Sequence, residues 1–226
     1  MEVVYEDNHI IIVNKAPGEI VQGDKTGDKP LSEIVKLWIK EKYNKPGNVF
    51  CGVTHRLDRP VGGLVIFAKT SKALSRMNEM FRDGKVDKTY WAITKECPQK
   101  EEDTLTHYIS TVERNNKSYA SLTEKKGALK SSLKYKVLAK SDNYNLLEIN
   151  LLTGRKHQIR VQLSSIGCPI KGDLKYGAKR SNPDGSISLL ARRIEFIHPV
   201  SGKTIDVTAP LPDDPLWQAF GKLLEK

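Results

Sequence analysis

Three short clusters in this 226-residue chain carry the residue types that could do chemistry. The first is His55-Arg56-Leu57-Asp58-Arg59-Pro60, followed by Gly62-Gly63 and an apolar run, Leu64 to Ala68. An acid set among two arginines and a histidine lies in a field that favours the carboxylate, which can then act as nucleophile or base. The same residues also suit a solvated turn before a core strand, or a cradle in which two arginines hold a phosphate. The second cluster, Lys88-Thr89-Tyr90-Trp91, puts a phenol beside a lysine at the start of a strand, where it can stack on a base or move a proton. The third is Thr153-Gly154-Arg155-Lys156-His157-Gln158-Ile159-Arg160. Ile159, Leu163 and Ile166 recur at helical spacing, so the pattern predicts a helix capped by Thr153, with three cations in its first turn and Gly167 at its end. Cations there oppose the helix dipole and call for a compensating anion, either a phosphate or a carboxylate of the protein itself. Asp58 is the acid most in need of a cation, and Arg155 is its natural partner.

The elements that must position these clusters are mostly strands. His9 to Asn14, Leu64 to Ala68, Thr89 to Thr94, Leu133 to Ala139, Leu146 to Leu151, Leu189 to Ile197 and Thr204 to Thr208 are short β-rich runs divided by turn residues. Helices are predicted over Leu31 to Ile39 and from an N-cap at Ser71 to Gly84. These are too few for crossovers between all the strands, so an α+β fold with a mixed, mainly antiparallel sheet is expected. Gln99 to Lys126 is polar and charged and reads as a mobile, solvated excursion.

Composition narrows the partners. Thirty-seven Lys plus Arg against 27 Asp plus Glu leave a formal charge of +10, which favours polyanions and anionic surfaces. No apolar run is long enough to span a bilayer and the start lacks signal-peptide character, so a cytoplasmic protein is expected, without membrane attachment. The helix around Leu31 to Tyr43 carries lysines, but its narrow apolar stripe suits core packing better than a membrane surface. Cys51, Cys97 and Cys168 lack zinc-ligand spacing and read as small buried hydrophobes, so no metal is expected. Walker and dinucleotide-binding glycine motifs are missing, and no cofactor is expected.

Taken together and in order, His55-Arg56-Leu57-Asp58, Lys88-Thr89-Tyr90, Thr153 to Arg160, Gly172-Asp173-Leu174-Lys175-Tyr176-Gly177 and Phe196-Ile197-His198-Pro199 resemble the RluA family of RNA pseudouridine synthases. The similarity runs nearly the whole chain, from Tyr5-Glu6-Asp7-Asn8-His9 and Lys15-Ala16-Pro17-Gly18 onward. It implies one catalytic domain over residues 1–226, made of two subdomains sharing a sheet around an RNA-binding cleft. Many relatives carry an accessory RNA-binding domain in front; with four residues before Tyr5, none is expected here. The resemblance places the catalytic aspartate at Asp58, the active-site tyrosine at Tyr90 and the arginine that pairs with the aspartate at Arg155. It also puts Leu190 against the target base. Arg56, Arg59, Lys156 and Arg160 are expected to hold RNA phosphates. The implied reaction turns a uridine within ribosomal or transfer RNA into pseudouridine, with no obligate protein partner and a monomeric enzyme. An alternative is an RNA-binding or ribosome-assembly factor of the same fold that does no chemistry.

Overall fold

The structure is a computed structural model that describes residues 1–225. Its internal contacts divide the chain into two compact units: Met1–Asp87 with Ala191–Ala209, and Lys88–Leu190 with Pro210–Lys226.

In the first unit, β1 (Glu2–Glu6) pairs antiparallel with β2 (Ile10–Lys15), and β2 pairs antiparallel with β4 (Gly62–Ala68). The two-residue β3 (Gly52–Val53) also lies on β4. Next to β4 comes β10 (Leu189–Ile197), which carries the antiparallel β11 (Thr204–Thr208). Every residue of β4 is buried, as its unbroken apolar run requires. Alternate residues of three strands, Ile10 and Ile12, Leu64 and Ile66, Ile194 and Phe196, meet Met77 in one core. Met77 belongs to α2 (Ser71–Arg82), the second helix after α1 (Leu31–Lys42). Thr70, rather than Ser71, caps α2: its side chain accepts from the Ala73 amide at 3.1 Å. Gly63 has φ +112°, and a Cβ there would stand 2.4 Å from the carbonyl oxygen of Ala191. Only glycine permits both that backbone and the close approach of β4 to β10.

The second unit is an antiparallel sheet in the order β5 (Val86–Thr94), β9 (Asn145–Leu151), β8 (Leu129–Lys140), β6 (Glu102–Val112), β7 (Lys117–Ser121). Strands β6 and β7 replace the mobile excursion expected over Gln99 to Lys126. The polar residues there occupy one face of a strand: Leu105, His107 and Ile109 are buried while Glu102, Thr104 and Thr106 are exposed. A high charge content hid that period of two. The third helix, α3, spans Gln158–Ser165 and thus begins after Arg155, Lys156 and His157. Thr153 does not cap it, and His157 sits at its threshold with φ +55°. The three cations therefore belong to a loop, and the helix-dipole conflict expected from the sequence does not arise. A fourth helix, α4 (Pro215–Leu224), is capped by Asp214 and buries Trp217 and Phe220 against Ile93, Leu146 and Leu190. Both β1 and α4 lie outside the elements expected from the sequence. Cys168 is buried and Cys51 half-buried, but Cys97 is exposed, so the reading of all three as core residues fails for Cys97.

Candidate active site

Asp58 is half-buried in the segment between β3 and β4, and the first unit holds that segment from several directions. On its N-terminal side, the Thr54 hydroxyl donates to the Ile66 carbonyl at 2.7 Å, and His55 Nε2 accepts from the Ile66 amide at 3.0 Å. The His55 ring rests 4.7 Å from that of Phe81 on α2. Leu57 and Val61 are buried on either side, and the Asp58 carbonyl accepts from the Val61 amide at 3.0 Å, closing a tight turn.

Beneath the turn lies a residue that sequence reasoning missed. Lys15, the last residue of β2, is 1% exposed, and its ammonium donates to the carbonyls of Val61 at 2.6 Å, Ala16 at 3.0 Å and Arg59 at 3.1 Å. A buried ammonium meets its solvation requirement only by gathering oxygens, so here it draws the loop around Asp58 onto the strand. Burial pushes its pKa down to about 8, against the raising effect of the Glu19 and Asp58 charges. The available signal was a charged residue closing an apolar strand, read only as the start of a turn. Because the unfolded chain keeps an ordinary lysine, it binds more protons than the folded one between about pH 8 and the usual lysine range. Stability from this group should therefore rise with pH across that window. Urea midpoints measured from pH 7 to 10 should climb in the unaltered protein relative to Lys15→Met, and parallel profiles would contradict the assignment.

The arginines flanking Asp58 differ. Arg56 is exposed. Arg59 is held by a local acidic loop, donating to Asp28 at 2.5 Å and to the Thr26 hydroxyl at 2.8 Å. Its guanidinium is thus paired with Asp28 through one nitrogen while its side chain stays exposed.

In the second unit, Tyr90 is buried in β5 opposite Ile149. Arg155 and Lys156 are exposed in the loop between β9 and α3. Gln158 organises that loop: its side-chain oxygen accepts from the Thr153 hydroxyl at 2.8 Å and the Arg155 amide at 3.0 Å, while its amide nitrogen donates to Ser132 at 3.0 Å. The Lys88 ammonium lies close to Gly154, 3.7 Å from where a Cβ would stand. The Lys88 end of β5 and the Arg155 loop are neighbours. His157 Nδ1 lies 2.8 Å from the Tyr176 hydroxyl, which also accepts from the Ser118 amide at 2.8 Å. Lys156 has one distant ion-pair contact, 3.9 Å to Glu113.

Two further expectations are corrected. Arg160 does not face RNA: it is 5% exposed and clamps the buried Asp173 with two bonds of 2.7 and 2.8 Å, over the face of Tyr176. On the first turns of α3 it points inward, where an ion pair is the only way to carry its charge. Leu190 packs into the core with Ile93, Leu146, Trp217 and Phe220 at 2% exposure, because the alternation of β10 turns it to that side. Neither Cys51 nor Cys168 offers a nucleophile near neutral pH, since burial pushes the first up to about 12 and the second to about 11. No group of three or more His, Cys, Asp or Glu placed to hold a metal occurs among the described residues.

A family model described as RNA pseudouridylate synthase matches residues 9–165. Ribosomal large subunit pseudouridine synthase D of Zymomonas mobilis is 30% identical over 227 residues, covering 95% of this chain and 70% of the relative. The tRNA pseudouridine synthase C of Vibrio parahaemolyticus is 30% identical over 236 residues, covering 96% of this chain and 92% of the relative. Among solved structures, Human RNA Pseudouridylate Synthase Domain Containing 4 superposes with a TM-score of 0.80 at 23% identity, covering 99% of this chain and 93% of that one.

Proposed function

The chain belongs to the RNA pseudouridylate synthase family, and on that premise we propose that Asp58 initiates cleavage of the glycosidic bond of a uridine in structured ribosomal or transfer RNA. The enzyme isomerises uridine to pseudouridine: the C1′–N1 bond breaks, the uracil turns, C1′ joins C5, the C5 proton leaves and N1 gains one. Nothing is added or lost, so no co-reactant is needed. Tyr90 stacks on the uracil and assists departure of the C5 proton, and Arg155 pairs with and orients the Asp58 carboxylate. Arg56 and Lys156, both exposed cations on loops beside these residues, hold phosphates of the RNA. The two units serve one catalytic domain over residues 1–226, which acts as a monomer in the cytoplasm.

The observation that carries this reading is the fastening of the Asp58 turn. An acid that only solvated a surface loop would not require a buried lysine on three carbonyls and a histidine spent on a strand amide to hold it still. A uridine stacked in RNA must be flipped out at a cost of a few kcal/mol, offset by backbone contacts, and a rigid acid then meets it without further ordering. The test is to incubate the protein with unmodified transcripts of ribosomal and transfer RNA and map new pseudouridines. Sites in either class support the reading and name the substrate; none in any transcript sinks it.

A further inference from the structure

The second unit holds an open cavity of about 430 Å³ between the outer strand β7 and the end of α3. Its lining suits a nucleotide. Val161 and Ala120 give an apolar floor, Leu174 and Tyr119 are exposed apolar and aromatic side chains at its edge, and Lys117 and Lys175 add two cations. Among the described lining residues none is acidic. The Lys117 ammonium lies 5.5 Å from the Tyr176 ring centre and 5.8 Å from that of Tyr119. Lys175 is tethered 3.0 Å from the Asn116 carbonyl at the start of β7. Lys175 is thus held by a hydrogen bond, and Lys117 lies within cation–π range of two tyrosine rings.

The cavity is also joined to the Arg155 loop. Ser118, part of its lining, donates its hydroxyl to the Lys156 carbonyl at 2.8 Å and its amide to the Tyr176 hydroxyl. An RNA strand passing Arg155 and Lys156 would therefore reach the cavity within a short distance along its backbone.

We propose that this cavity binds a nucleotide of the RNA substrate that flanks the target uridine, with its base against Tyr119 and the apolar floor and its phosphates on Lys117 and Lys175. The inference deepens the proposed function and rests on it for the identity of the strand. Apolar floor, exposed tyrosine and two cations match the two faces of a nucleotide, and stacking on tyrosine accepts any base. The cavity would thus add affinity and fix the path of the strand beside the site, without choosing the reacting base or the identity of its neighbour.

The experiment compares the unaltered protein, Tyr119→Ala and the double variant Lys117→Ala/Lys175→Ala on a transcript in which the unaltered protein makes pseudouridine. Lys95→Ala/Lys222→Ala, which removes the same charge from exposed positions elsewhere, is the control. KM should rise about tenfold for Tyr119→Ala, as expected for loss of one stacked base. The lysine pair should lower the slope of log affinity against log salt by about 1.4, at ~0.7 for each single-strand phosphate contact. Binding of a fluorescent single-stranded oligouridine is measured in parallel. A KM and salt slope equal to those of the control variant overturn the proposal. If the unaltered protein modifies no RNA, the catalytic reading fails by itself, and the oligouridine then decides: weaker binding by the cavity variants alone supports the cavity, and equal binding overturns it.

Discussion

Asp58→Ala should abolish pseudouridine formation on any transcript that the unaltered protein modifies, a fall on the order of 10⁴-fold, or about 5 kcal/mol of lost transition-state stabilisation. The loss should be chemical. The turn around Asp58 is held through main-chain atoms: its own carbonyl on the Val61 amide, and the Arg59 and Val61 carbonyls on Lys15. These bonds run through main-chain atoms that the substitution leaves in place, so the turn itself should persist and the variant should still bind RNA. Asp58→Asn separates charge from shape, because it retains the volume and removes the negative charge. It should fail as completely as alanine, by mass-spectrometric counting of pseudouridine under single-turnover conditions. An asparagine variant within tenfold of the unaltered rate would remove Asp58 from the role proposed for it.

The largest stability effect is expected at the Arg160–Asp173 clamp. Removing one member of a buried, doubly bonded ion pair leaves the other uncompensated, which costs about 3–5 kcal/mol. Arg160→Met should therefore lower the melting temperature by roughly 10 °C in a chain of this size. Arg160→Met combined with Asp173→Leu should recover much of that loss, since an apolar pair of similar volume carries no unpaired charge. The same variant settles whether Arg160 meets phosphate. A phosphate ligand would lower the salt slope of RNA affinity and leave the melting temperature alone. The clamp predicts the reverse, with a secondary loss of RNA affinity because Tyr176, under the Arg160 guanidinium, holds both His157 and Ser118.

The strands were legible wherever burial leaves a simple mark. The run from Leu64 to Ala68 is apolar because β4 is covered on both faces, and a continuous apolar run needs no knowledge of its neighbours to be recognised. The run from Glu102 to Val112 was not legible for the opposite reason. Its inward residues include His107, its outward ones are mostly threonine, serine and tyrosine, and charged stretches flank it, so composition outweighed alternation. The start of α3 was misread because Ile159, Leu163 and Ile166 give the helical period without marking where the first turn begins. That boundary rests on His157 taking a left-handed backbone beside the hydroxyl of Tyr176, nineteen residues away in the chain.

The identity of the chemistry lay in the sequence. Asp58 between two arginines, Tyr90 after a lysine and Arg155 after Thr-Gly are local strings, and with the blocks that follow them in order they suffice to name the family. Only the folded chain decided which cation serves which anion. Four basic residues, Arg56, Arg59, Lys156 and Arg160, read alike in a sequence, yet Arg59 is taken by Asp28, Arg160 by Asp173, and Arg56 and Lys156 remain at the surface. Lys15, without any motif of its own, proved to hold the Asp58 turn. The reason is physical: a side chain's type sets the charge it carries, but its partner depends on burial and distance between residues far apart in the chain. Those are determined when the strands and helices pack.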